Sequence, residues 1–288
     1  DHQFIAGEIF LLGVRFDRSQ RNAAIPGAGE GKWSCVGEKA TIGADRFPLW
    51  AGPEGWQTAT HNPSVIEAIL TGKPYPVRGM YASGVNIVVT YPDTRRTMAA
   101  LRALDFLVVV SHTMTPTAEL ADIVLPKSTS LEEEEIALDP YAPCVAYTRP
   151  VLQPRGEARG DFDIAVDLIG RLETRGALVR NFVPWRTKRE FNEYLLGQNE
   201  ITFAELEAKG FARFEYELGN FEKSGFKTST GKIELFSEAM KRLGLDPLPD
   251  YSPPRSEREP EAVRAGYPLI LQTGAREKTY HHSRYHEK

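Results

Sequence analysis

Two hydrophobic rhythms alternate along the middle of the chain. Phe106–Val110 (FLVVV) and Ile123–Leu125 are short unbroken apolar runs, the pattern of parallel strands buried on both faces. Around them, Val65, Ile66, Ile69 and Leu70, and then Met98, Leu101 and Leu104, recur at helical spacing. Asn62 and Pro63 read as the N-cap and first residue of the earlier helix and Gly72 as its stop; Asp93 or Thr94 opens the later one. Before it come a strand-like run, Val77–Tyr81, the tetrapeptide Ser83-Gly84-Val85-Asn86 and a second apolar run, Ile87–Val89. A short helix is predicted at Ala118–Ala121. Strand, helix, strand, helix, strand in this order predicts the α/β class, with a parallel sheet and right-handed crossovers.

The flanks are less regular. Residues 1–60 are rich in Gly, Pro and Trp, with one apolar stretch at Ile9–Val14 and a long Gly-rich loop from Ile25 to Glu38. Asp161–Leu172 reads as a helix with Phe162, Ala165, Val166 and Ile169 on its inner face. Lys188–Leu196 and Phe203–Lys209 are two more helices in a polar connecting region. Thr228–Phe236 reads as a turn feeding a strand, and Ser237 as the cap of a helix ending at Gly244. Residues 246–266 are Pro-rich and charged, as a linker is; Tyr267–Gln272 is a new strand beyond it. The expected organisation is therefore an irregular segment (1–60), a Rossmann-like α/β domain (61–175), a helical connection and linker (176–266) and the start of another domain (267–288). The opening residues carry neither a basic n-region nor a small-residue cleavage site, and both ends are abrupt, so a piece of a longer polypeptide is expected.

Composition narrows the function. A net charge of -4 and a pI near 6.0 argue against a protein built to hold nucleic acid, and no apolar run approaches the ~20 residues of a membrane span. Cys35 and Cys144 form no CxxC pair, so neither a zinc knuckle nor an iron–sulfur cluster is expected from this chain alone; two buried thiols in a reducing compartment are. A cytoplasmic location is expected, with a periplasmic one as the alternative. The acids of Leu131-Glu132-Glu133-Glu134-Glu135 read as a solvated surface segment, the sharper alternative being one site carboxylate among them. No GxGxxG and no Walker A lysine motif is present, which disfavours nicotinamide and P-loop chemistry.

What remains is a set of polar residues at predicted strand ends, where ligands of open α/β sheets bind. Gly84 and Asn86 either present backbone N–H groups to a phosphate or make a tight turn. Ser111, His112, Thr113, Thr115 and Thr117 follow the FLVVV strand. Asp122, an acid beside apolar sheet, needs donors from the backbone or from a ligand edge. His281, His282 and His286 sit near Arg276 and Tyr280 without an HExxH arrangement.

Taken together, five blocks resemble the C-terminal half of the bis-molybdopterin oxidoreductases, the dimethyl sulfoxide reductase family. They are GKPYPVRGMYASGVN, LDFLVVVSHTMTPTAELADIVLPKSTSLE, PRGEARGDFDIAVDLIGRL, FKTSTGKIELFSEAMKRLGLDPLPDY and YPLILQTGAREKTYHHSRY, in order across residues 72–286. The terminal block is most similar to the acetylene hydratase and hydroxytransferase-like branches. The resemblance implies a molybdopterin guanine dinucleotide cofactor, with Mo or W. It implies that Gly84, Asn86, Ser111, His112, Thr113 and Thr117 border the guanosine phosphate, with Asp122 near the base. It further implies that Thr273, Gly274, Arg276, His281, His282 and Ser283 line a pterin at the opening of a β-barrel domain. No metal ligand from this chain is expected. The implied activity is two-electron or oxygen-atom transfer, with non-redox hydration or hydroxyl transfer, or a cofactor-free binding remnant, as alternatives. The remainder of the parent chain or an iron–sulfur electron-transfer subunit is the implied partner.

Overall fold

The computed structural model describes residues 9–12, 41–51, 60–138, 144–176, 183–197, 201–213, 219–226, 228, 230–248, 250–253, 260–266 and 269. The chain divides into two compact units, Asp1–Leu218 and Gly219–Lys288.

The first unit is built on a four-stranded sheet, parallel throughout and ordered β1 (Ile9–Leu12), β2 (Gly79–Ser83), β3 (Phe106–Ser111), β4 (Ile123–Pro126). The register pairs Ser83 with Val110 and Ser111 with Pro126, so the carboxyl ends of β2, β3 and β4 lie side by side. The helices are α1 (Pro48–Ala51), α2 (Asn62–Thr71), α3 (Ile87–Thr90) and α4 (Thr94–Ala103). Because strand side chains alternate between faces, Met80, Ala82, Leu107 and Val109 point one way, into a core shared with Val65, Ile66, Ile69, Ile87 and Leu101. Fully burying each such aliphatic side chain is worth about 1.5–3 kcal/mol, which fixes α2 and α4 against that face. Tyr81 and Val110 point the other way and meet Ile164 of α5 (Asp161–Thr174). The sheet is thus covered on both faces, as continuous apolar strands require.

A second layer of the same unit is an antiparallel sheet of β5 (Glu135–Leu138), β6 (Cys144–Thr148) and β7 (Phe211–Arg213). Ile136 and Val145 pack there on Leu196 of α6 (Lys188–Gly197) and Leu206 of α7 (Phe203–Lys209). The second unit contributes the short helices α8 (Asn220–Ser224), α9 (Glu238–Arg242) and α10 (Glu261–Gly266).

Several sequence expectations shift. The apolar Ile9–Val14 stretch supplies a parallel edge strand to the sheet. The N-cap of α2 is His61, in extended backbone, with Pro63 within the first two helical positions; Asn62 already belongs to the helix. The Val77–Tyr81 strand is moved to Gly79–Ser83, and Ile87–Val89 forms a helical turn rather than extended chain. On α5 the buried residue is Ile164, because Tyr81 and Val110 meet the helix at that point; Phe162, Ala165, Val166 and Ile169 are only half-buried. Thr228–Phe236 forms turns, not a strand: Ile233 and Leu235 are exposed, and no described strand pairs with them. Ser237 does cap its helix, its hydroxyl accepting from Met240 N at 3.2 Å. Cys144 is half-exposed on β6 rather than buried. Of Tyr267–Gln272 only Leu269 is among the described residues, where it is exposed and belongs to no strand; the rest of that stretch and the barrel opening lie outside them.

Candidate functional site

β2 ends at Ser83, and the chain must then turn off the sheet. Gly84 does this with φ +67°, and a Cβ built there would meet nothing within 4 Å. The turn therefore needs glycine for its backbone angle, and the space on the side-chain side of its Cα is open. Beside it, at the end of β3, the Ser111 hydroxyl donates to Thr113 O at 2.7 Å, folding the crest into a compact turn that leaves His112 exposed and Thr113 half-exposed. These four residues form a continuous polar rim at the carboxyl ends of adjacent strands.

Asn86 and Thr117 behave differently. Thr117 is fully buried; its hydroxyl donates to Asn86 Oδ1 at 2.8 Å and accepts from Val88 N at 3.0 Å. Asn86 is 8% exposed, and its carbonyl accepts from Val89 N and Thr90 N at the start of α3. The pair staples the β2–α3 turn to the 3-10 turn Ala118–Leu120 beneath the rim, so neither presents the polar atoms of that bond to a ligand. Thr115 is also inward, its hydroxyl accepting from Ala118 N at 3.1 Å.

Asp122 does not join the rim. It precedes β4, and its Oδ2 accepts from Leu107 N at 2.7 Å, near the amino end of β3. The donor expected for this acid is thus a backbone N–H at the opposite end of the strands from the rim. Strand length explains the misplacement: the ADIVLP string crosses the whole sheet, so its first and last residues lie at different ends. Thr273, Gly274, Arg276, His281, His282, Ser283 and His286 lie outside the described residues. Among the described residues no group of three His, Cys, Asp or Glu is placed to hold a metal ion.

The structure adds residues at the rim that sequence reading missed. Arg159 runs alongside the end of β4 in a parallel bridge with Lys127, which delivers Asp161, the first residue of α5, to the carboxyl ends. There Ser83 Oγ donates to Asp161 Oδ1 at 2.5 Å, and Lys127 pairs with Asp161 Oδ2. One carboxylate so ties β2, β4 and α5 together. Burial, and then the Asp161 charge, pushes the nearby Tyr81 hydroxyl up to about 12. Next to it Ser128 Oγ donates to Glu133 at 2.8 Å, and burial raises the Glu133 carboxyl above its usual range. The acid run is accordingly not a solvated face: Glu134 binds Arg189 and the Tyr147 hydroxyl, and Glu135 binds Lys188. A Ser immediately before a strand-end Gly and a Lys immediately after an apolar run were the available signals for Ser83 and Lys127.

Residues 40–171 match the family model described as molybdopterin oxidoreductase. The chain is 32% identical over 233 residues to acetylene hydratase of Syntrophotalea acetylenica, covering 78% of this chain and 31% of that protein. It is 27% identical to the thiosulfate reductase molybdopterin-containing subunit PhsA of Salmonella typhimurium, over 67% of this chain and 28% of that one. With dimethyl sulfoxide reductase DmsA of Escherichia coli it shares 28% identity, over 63% and 25%. The fold is similar to that of acetylene hydratase from Pelobacter acetylenicus, with a TM-score of 0.66 and 30% identity over 80% of this chain and 31% of that one. The chain thus spans about a third or less of the length of these relatives. With its parallel sheet, its polar carboxyl rim and these likenesses, the chain belongs to the molybdopterin oxidoreductase family.

Proposed function

We propose that the carboxyl rim of the parallel sheet holds the guanosine diphosphate end of a molybdopterin guanine dinucleotide. The chain would then supply one part of the cofactor cradle in a molybdenum or tungsten enzyme that carries out two-electron or oxygen-atom transfer. The observation that carries this reading is the open left-handed turn at Gly84, flanked by Ser111, His112 and Thr113 on the adjacent strand end. The backbone amides there can approach a phosphate without meeting a side chain, and hydroxyl and imidazole groups stand beside them. Asn86 and Thr117 shape this turn from below, and Asp122 supports the far end of the sheet; none of the three is assigned a ligand contact.

The metal and its pterin dithiolenes, when bound, supply the electron-pair or oxygen-atom chemistry. The residues of this chain bind and orient the nucleotide tail, which sets where the reactive end sits. Family resemblance assigns Thr273, Gly274, Arg276, His281, His282 and Ser283 to the pterin, and the remaining length of the relatives leaves the metal ligand to the rest of a parent chain or a partner subunit. A non-redox reading, hydration at the same cofactor, is favoured by one specific finding, the likeness to acetylene hydratase in both sequence and fold.

Two measurements test this. Calorimetric titration of the chain with GDP gives saturable binding that weakens in Gly84→Val, whose Cβ and γ-methyls fill the open approach; absence of GDP binding to the unaltered chain removes the proposal. In the intact parent enzyme, product formed without any electron acceptor selects hydration, and strict dependence on an acceptor selects redox transfer.

A further inference from the structure

We propose that Lys127 is the phosphate-recognising cation of this rim and that Asp161 is its positioning residue. The inference rests on the nucleotide reading above and adds to it the group that distinguishes a diphosphate from an uncharged nucleoside.

Lys127 follows the last residue of β4, and its backbone N–H donates to Ser111 O at 3.1 Å, which continues the ladder beyond the strand and fixes its backbone. Its side chain is 25% exposed, with the ammonium anchored on Asp161. An ammonium has three donors; Asp161 Oδ2 takes one, and the Glu133 carboxyl, which burial pushes toward its protonated form, lies close enough to feel the Lys127 charge. The other oxygen of Asp161 is held by Ser83, the residue before the open Gly84 turn. A single carboxylate therefore links Lys127 Nζ to Ser83, which immediately precedes the Gly84 turn at the end of β2. A ligand that fits is an acceptor-only anion spanning both, as a phosphate or diphosphate does.

The same pair explains how a lysine stays localised at the rim with its charge intact. A half-buried ammonium without a partner would be costly, and its long side chain would otherwise sample many rotamers. Asp161 is fixed by the backbone bridge between Lys127 and Arg159 and by the start of α5, so the cation is set in place before the ligand arrives. Pre-ordering of this kind lowers the cost of binding.

The test compares GDP with guanosine on the full chain, because a purely structural ion pair would not discriminate between them. In calorimetry at low salt the unaltered chain binds GDP more tightly than guanosine. Lys127→Met reduces that preference about tenfold, the equivalent of roughly 1.4 kcal/mol for one charge-assisted contact, while guanosine affinity stays the same; Lys127→Arg keeps most of the preference. If Lys127→Met alone melts at room temperature by far-UV circular dichroism, Lys127→Met with Asp161→Asn removes the stranded carboxylate, and the same ratio is measured. An unchanged GDP-to-guanosine ratio in a folded Lys127 variant overturns the assignment. Failure of both ligands to bind the unaltered chain instead defeats the nucleotide reading, and this proposal with it.

Discussion

Asp122 and Asp161 are both carboxylates that border the same parallel sheet, and their surroundings give them opposite duties. Asp122 accepts a backbone N–H from Leu107 at the amino end, whereas Asp161 joins Ser83 and Lys127 at the carboxyl end. Asp122→Ala leaves the Leu107 N–H without its acceptor and should lower stability by about 1–3 kcal/mol in urea unfolding, with GDP affinity unchanged. A loss of GDP binding without loss of stability would place Asp122 in the site after all. Glu133 offers a pH test. Burial raises its carboxyl above the usual 4.5, so the folded state holds this proton more tightly than the unfolded one. The stability it contributes is complete below the unfolded value and is lost as pH rises through the raised folded value. Urea midpoints of the unaltered protein should therefore fall, relative to Glu133→Gln, as pH is raised from 4 toward neutrality; parallel profiles would contradict the assignment.

Among the elements, α7 shows how local chemistry and packing combine. Thr202 accepts from Glu205 N while Glu205 reaches back to Thr202 N, a complete capping box, and Gly210 closes the helix in the left-handed conformation. The helix is seven residues long, too short to persist alone, and is held by Leu206 buried against β5 and β6. Thr202→Ala should cost about 1 kcal/mol, read as a lowered melting temperature, and faster amide exchange at Glu205 should accompany it. The capping box and the closing glycine are both written in the sequence, which is why Phe203–Lys209 is legible there to the residue. Thr228–Phe236, by contrast, alternates polar and apolar residues after its Gly as a strand would, but it finds no described partner strand, and Ile233, Leu235 and Phe236 remain exposed.

For the molecule as a whole, the sheet is what makes a site out of separate segments. The rim draws on the loop after β2, the crest of β3, the end of β4 and the first turn of α5, from residues as far apart as Ser83 and Asp161. Hydrophobic continuity, helical spacing and turn glycines depend on neighbours within a few residues, so the chain alone determined β3, β4, the helices α2 and α4 and the polar crest at Ser111–Thr113, whereas the edge strand β1 and the helical turn α3 were not legible in it. Which polar groups face outward depends on where distant segments meet. Register put Asp122 at the wrong end of the sheet for the rim, burial spent Thr117 and Asn86 on one another, and the Lys127–Arg159 bridge brought Asp161 to a place nothing in its own surroundings foretold. Those assignments belonged to the tertiary structure, because a hydrogen bond or an ion pair is fixed by distance in space and is indifferent to distance along the chain.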